Sequence, residues 1–166
     1  MLETLFIKNY ALIDEFFVKF QNGFNVISGE TGAGKSIMLG GLSLILGQRA
    51  DTSILNNPEI KCIIEGKFKI EEKRYKSFFQ ENNLDFERET ILRREITPSG
   101  KSRAFINDTP VNLTILKSFC SGIIEVHSQH QSLALKDVQN QLFLLDQFCR
   151  HEELLREYMD EYGIYL

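Results

Sequence analysis

Gly29-Glu30-Thr31-Gly32-Ala33-Gly34-Lys35-Ser36 constrains this chain more than any other stretch. Glycines at this density disfavour both helix and strand, which places a loop here. Before the loop, Phe24-Asn25-Val26-Ile27 reads as a short strand. From Lys35 onward, Ile37, Met38, Leu42, Ile45 and Leu46 recur at helical spacing, and Gly47 can end the helix. The order strand, glycine loop, helix is the setting in which G-x-x-x-x-G-K-[ST] cradles phosphate. Successive backbone N–H groups of such a loop form an anion nest, and the next helix adds its positive end. Lys35 can reach the β- and γ-phosphates, and the Ser36 hydroxyl can join a Mg²⁺ shell. A chance match in a chain of this composition has a probability on the order of 1%. ATP with Mg²⁺ is the expected ligand, held by Gly29, Glu30, Thr31, Gly32, Ala33, Gly34, Lys35 and Ser36.

Composition removes several alternatives. A chain of 166 residues makes one domain, or one domain with an appendage. With 43% hydrophobic and 25% charged residues it is no disordered segment. The formal charge of −4 gives no whole-surface basic field for nucleic acid. Cys62, Cys120 and Cys149 form no C-x-x-C pair and no zinc spacing, the pattern of reduced, buried thiols in a cytoplasmic protein. No apolar run reaches the roughly 18 residues of a membrane span, and the first ten residues lack a signal-peptide pattern. No membrane partner is expected.

Apolar, β-branched and aromatic residues predict strands over Leu2–Ile7 and Ile13–Phe20, parted by Asn9-Tyr10, and a turn at Gln21-Asn22-Gly23. A polar loop covers residues 48–58, and a half-buried strand covers Ile60–Ile70. Glu71–Asn82 reads as a surface helix. Thr90–Ile96 and Ser102–Ile106 form a hairpin around Thr97-Pro98-Ser99-Gly100. A second turn at Asn107-Asp108 precedes Thr109-Pro110, a helix over Val111–Cys120 and a buried strand over Gly122–Val126. A polar loop, 127–132, comes next. From Val138 the pattern is helical to the last residue, with Leu142, Leu145, Leu155, Tyr158, Tyr162 and Tyr165 at heptad-like spacing. The expected division is 1–137 for an α/β lobe and 138–166 for a helix leading into a coiled coil.

A catalytic carboxylate is not evident. Phe143-Leu144-Leu145-Asp146 has the form of an apolar strand ending in Asp, but Leu142, Leu145 and Cys149 continue a helical stripe through it. Glu125 sits in a strand interior. The carboxylate that orients water is expected outside this chain.

Ser28–Ser36, Leu46–Ala50, Leu92–Arg94, Gly100–Asn107 and Val126–His130, taken in order, resemble the bacterial DNA-repair members of the SMC-like branch of the ABC ATPases. The resemblance runs over essentially the whole chain. It implies an α/β P-loop NTPase fold: the N-terminal lobe of an ABC/SMC-type head with a mixed and antiparallel sheet, ending where a coiled-coil helix starts. Such a head is built from both ends of one polypeptide. The C-terminal half would supply the signature motif, the acidic strand and the catalytic glutamate. The resemblance also puts Gln129 at the Q-loop glutamine, which reaches Mg²⁺ or the attacking water, and Arg49 near the nucleotide. Partners implied are the C-terminal half of the same head, a second head in a homodimer across ATP, and DNA. The implied location is the bacterial cytoplasm, at the nucleoid.

The chain also departs from that pattern. His127-Ser128-Gln129-His130 has Ser128 where the family has glycine, and Asn107-Asp108 stands where Asn-Gly is common. His127 and His130 have metal-ligand spacing without a third ligand nearby, which disfavours a metal site. Arg93, Arg94, Lys101 and Arg103 fit contacts to DNA phosphates and a solvated strand face equally well. Against the ATPase reading stand a small P-loop phosphotransferase, whose lid arginines and second-substrate acid are not identifiable, and a nucleotide-gated dimerisation module without turnover.

Overall fold

Alternating apolar residues build the sheet that carries everything else. A computed structural model describes residues 1–29, 34–50, 52–124 and 126, and from position 141 onward Gln141, Leu142, Leu145, Phe148, Leu154, Glu157, Tyr158, Glu161 and Tyr162. The chain divides into two compact units, Met1–Ile124 and Glu125–Leu166.

The first unit is a six-stranded sheet. Its strands are β1 (Leu2–Tyr10), β2 (Ile13–Lys19), β3 (Cys62–Lys69), β4 (Glu89–Ile96), β5 (Ser102–Ile106) and β6 (Thr109–Val111), in spatial order β2-β1-β3-β4-β5-β6. Every pair is antiparallel. Ile7, Ile64, Arg94 and Ala104 stand side by side in register across four strands. One face is buried and carries Leu5, Ile7, Cys62, Ile64, Phe68, Leu92, Ile96, Ala104 and Ile106. Helices α1 (Lys35–Ile45) and α3 (Leu113–Ser121) cover it with Leu42, Leu44, Ile45, Leu116, Phe119 and Cys120. Helix α1 lies close to β1 because Gly41 faces Ile7; a β-carbon there would sit 2.8 Å from Ile7 Cδ1. The other face mixes apolar residues such as Phe6, Phe17 and Phe105 with ion pairs, Lys8–Glu15 at 3.7 Å, Lys61–Glu95 at 3.2 Å and Lys67–Glu89.

Four expectations are corrected. Asn9-Tyr10 does not interrupt β1: Asn9 takes φ 55°, and its buried amide donates to the Asn57 and Ile60 carbonyls at 2.9 and 2.8 Å. The turn falls instead at Ala11-Leu12. Residues 24–27 are not a strand; no neighbouring strand pairs with them among the described residues, and Phe24 is 93% exposed. Likewise 122–124 and 126 are turn and coil, half-buried rather than buried. The third helix begins at Leu113, since Thr109–Val111 pairs with β5 and the Asn112 side chain caps the helix by accepting from Ile115 N–H at 2.9 Å.

The hairpin β4–β5, helix α2 (Glu72–Glu81) and the end of α1 at Gly47 (φ 92°) lie as expected. Cys62 and Cys120 are buried free thiols, both pushed up to about 12 by burial. Cys149 lies outside the described residues. In the second unit the described residues from Gln141 onward are helical and exposed, with Tyr158 and Tyr162 stacked at 5.9 Å. No helix among the described residues is long and apolar enough to cross a membrane.

Candidate functional site

Gly34 stands where the glycine loop passes into α1. It takes φ 88°, a left-handed conformation that costs a residue without a β-carbon nothing. As N-cap of α1 it offers no capping side chain, and its carbonyl accepts the first helical bond from Met38 N–H at 2.8 Å. Helix geometry leaves the first-turn amides without an internal acceptor. No acidic residue occupies that turn to neutralise them. The Lys35 ammonium donates to the Gly29 carbonyl. Ser36 is exposed on the next position of the same turn. Uncapped amides, an ammonium and a free hydroxyl at one helix start fit a phosphate chain with its Mg²⁺.

Beside this anion site lies an open cavity of about 220 Å³. Its walls are Ile13 and Phe16 of β2, Ile27, and Met38 of α1, with Gly34 and Lys35 at the rim. An apolar wall next to an anion cradle suits the base and sugar of a nucleotide. Sequence reasoning missed this wall. Phe16 and Met38 come from different elements, so no local spacing announces them.

The other expected site residues divide. Arg49 is exposed beyond Gly47 at the opposite end of α1, so about 16 Å of helix separate it from Lys35. Glu30, Thr31, Gly32, Ala33, Gln129, His127, His130, Glu125 and Asp146 lie outside the described residues. No group of three or more potential metal ligands occurs among the described residues.

Arg93, Arg94, Lys101 and Arg103, which fitted DNA contact and a solvated strand face equally, do not share one environment. Arg94 points into the core, 2% exposed, and burial lowers its pKa. Arg93 lies over the Phe105 ring at 4.6 Å and near Glu95 at 3.7 Å. Only Lys101 and Arg103 are exposed.

Residues 4–164 match the family described as AAA domain, and the chain belongs to that family. Its curated relatives include the DNA repair protein RecN of Vibrio cholerae, 40% identical over 94% of this chain and 28% of that protein, and RecN of Bacillus subtilis, 36% identical over 100% and 30%. The resemblance drawn from the sequence blocks is thus borne out. The chain spans less than a third of the length of these relatives. Solved structures supply the fold. A chain from work on ATP-driven dimerisation and DNA-stimulated activation of SMC ATPases superposes with TM-score 0.60, at 18% identity, covering 89% of this chain and 98% of that one. The SMC head domain from Thermotoga maritima gives 0.53 at 17% identity, covering 71% and 41%. The fold is that of an SMC-type ATPase head.

Proposed function

We propose that this chain is the ATP-binding N-terminal half of an SMC-like ATPase head that acts in repair and recombination of DNA double-strand breaks. The observation that carries the reading is Lys35 folded onto the Gly29 carbonyl beside the uncapped start of α1. Gly29, Glu30, Thr31, Gly32, Ala33 and Gly34 would wrap the phosphates with backbone N–H groups. Lys35 would offset charge on the β- and γ-phosphates, and Ser36 would hold Mg²⁺, with Gln129 completing the shell or orienting water. When bound, Mg²⁺ supplies positive charge to the transferring phosphoryl group. Ile13, Phe16, Ile27 and Met38 would exclude water on the base side. Arg49, a helix length away, would contribute charge near the nucleotide without sharing a phosphate with Lys35.

The catalytic carboxylate belongs, in this reading, to the C-terminal half of the same head. That half would also cover Phe24–Ile27, whose apolar side chains stand exposed. Residues 1–137 would form the lobe and 138–166 the start of a coiled coil. A second head would close a homodimer over ATP, and the assembled protein would engage DNA at the nucleoid in the bacterial cytoplasm.

Lys35→Ala in the full-length protein tests the site. Loss of the ammonium removes charge from the phosphates while leaving the core untouched, since Lys35 is half-exposed. ATP turnover should fall at least about 100-fold, with the far-UV spectrum and Tm unchanged. Wild-type ATP affinity and turnover in the mutant would refute the assignment.

A further inference from the structure

Helix α1 meets β1 through two consecutive glycines, and side chains of the strand fill the space that theirs would take. A β-carbon on Gly40 would sit 2.6 Å from the Tyr10 hydroxyl oxygen, 3.6 Å from Cζ and 3.8 Å from Cε1. One on Gly41 would sit 2.8 Å from Ile7 Cδ1 and 3.8 Å from Tyr10 Cδ1. The Tyr10 ring thus lies along both glycines. At 2.6 and 2.8 Å something has to shift, since nonbonded carbons rest about 3.5 to 4.0 Å apart. Neither neighbour yields easily. The Tyr10 backbone is paired with Ile13 and bridged to Leu55, and Ile7 has no exposed surface. Glycine weakens a helix interior relative to alanine, so the close approach of β1, not helix propensity, accounts for the pair.

The same helix begins at the anion site. Lys35 precedes Gly40 by about 7.5 Å along the axis, and Ser36 lies on the Gly40 face, one turn away. Met38, between them, lines the cavity beside Gly34 and Lys35 together with Ile13 and Phe16 of β2. We propose that Tyr10 and Gly40 are positioning residues for nucleotide binding: ring and glycine set how deeply α1 sits on β1, and so where Lys35, Ser36 and Met38 stand. The helix is unbroken from Lys35 to Ile45, so it carries a lift at Gly40 to Lys35. The lift also changes the width of the cavity, because Met38 moves while β2 stays paired with β1. Ile7 and Gly41 make a second contact of the same kind one residue further on. The proposal rests on the reading of Lys35 and Ser36 as the groups that hold phosphate and Mg²⁺.

The test adds an atom to the helix and removes one from the strand, in the full-length protein. Gly40→Ala should weaken Mg²⁺–ATP binding about tenfold in titration calorimetry, the cost of holding phosphate groups out of place. Alanine favours helix over glycine, so a purely structural role for Gly40 would leave that affinity as it was. Tyr10→Phe deletes the oxygen that the new β-carbon meets and leaves Cζ at 3.6 Å, an ordinary contact. Gly40→Ala combined with Tyr10→Phe should therefore bind Mg²⁺–ATP within about threefold of Tyr10→Phe alone. Gly41→Ala with Ile7→Val makes a parallel cycle, since valine lacks Cδ1, and the same loss and recovery are expected. That cycle decides if a variant of the first fails to fold. Wild-type affinity in Gly40→Ala would overturn the proposal. So would a loss that Tyr10→Phe does not relieve. Wild-type affinity in Lys35→Ala would refute the site reading, and the proposal with it. A loss in Lys35→Ala beside wild-type affinity in Gly40→Ala would leave the site standing and remove only the role of Tyr10 and Gly40.

Discussion

Ile64 and Phe24 are both large apolar residues in stretches with strand-like sequence, and they end in opposite environments. Ile64 lies in β3 between β1 and β4, under α1, with no exposed surface. Phe24 stands in coil, 93% exposed, with Val26 at 73% close by. The difference comes from neighbours rather than from the residues. A strand exists when another strand satisfies its amides and carbonyls. Around Ile64 the partners come from hairpins and one crossing helix within this lobe. Around Phe24 no partner strand is present among the described residues.

The comparison would break first at catalysis. If the exposed side awaits the half that carries the carboxylate, residues 1–166 alone should bind nucleotide weakly and release phosphate at a negligible rate. Adding the C-terminal segment in trans should raise Mg²⁺-dependent phosphate release by about 100-fold or more, the scale on which positioned charge and water act. Robust hydrolysis by the isolated residues 1–166 would mean that Asp146 or Glu125 completes the site.

A smaller effect is expected in the packed region. Ile64→Ala removes a fully buried side chain between two strands and under a helix. It should destabilise the lobe by about 3 kcal/mol in denaturant titration, from lost transfer energy and the cavity left behind. A change below about 1 kcal/mol would show that the covered face is less tightly filled than its exposures indicate.

The same contrast explains what the sequence disclosed. Hairpin β4–β5 was legible because its partners are near in sequence, and strand β3 because its alternation marks one buried face. Helix α1 was legible from its period and from the glycines at both ends. The stretches 24–27 and 122–126 have apolar sequences of the kind β3 has, but whether they form strands depends on a neighbour that local pattern does not describe. Asn9 misled for a different reason: a residue common in turns here uses its amide to bind the 57–60 loop and stays in β1. Arg94 misled as well. A basic strand residue beside Arg93 looks like surface, yet register carries every second residue of β4 inward. At the site, Gly29–Ser36 was legible because loop chemistry fixes residue types at fixed spacing. The Ile13, Phe16 and Met38 wall was not, because β2 and α1, distant in sequence, both contribute to it.

The smallest expected effect is the sharpest test of the comparison. Phe24→Ser combined with Val26→Ser should change the stability of isolated residues 1–166 by no more than about 0.5 kcal/mol per site, the scale of exposed substitutions. Both side chains stand mostly in solvent, so little buried area is given up when they are shortened. Serine should improve solubility, since an exposed apolar pair invites self-association. The consequence should surface only when the C-terminal half is added. If that half pairs with 24–27 and buries both side chains, the double variant should weaken the association between the two pieces by about tenfold or more, from roughly 1.5 to 3 kcal/mol of burial lost per large apolar side chain. Titration calorimetry of the two pieces reads the affinity, and denaturant titration of residues 1–166 reads the stability. A large loss of stability in the isolated lobe would show that 24–27 is already packed against it. Unchanged association would show that the C-terminal half leaves this segment uncovered, and that the difference between Phe24 and Ile64 persists in the assembled head.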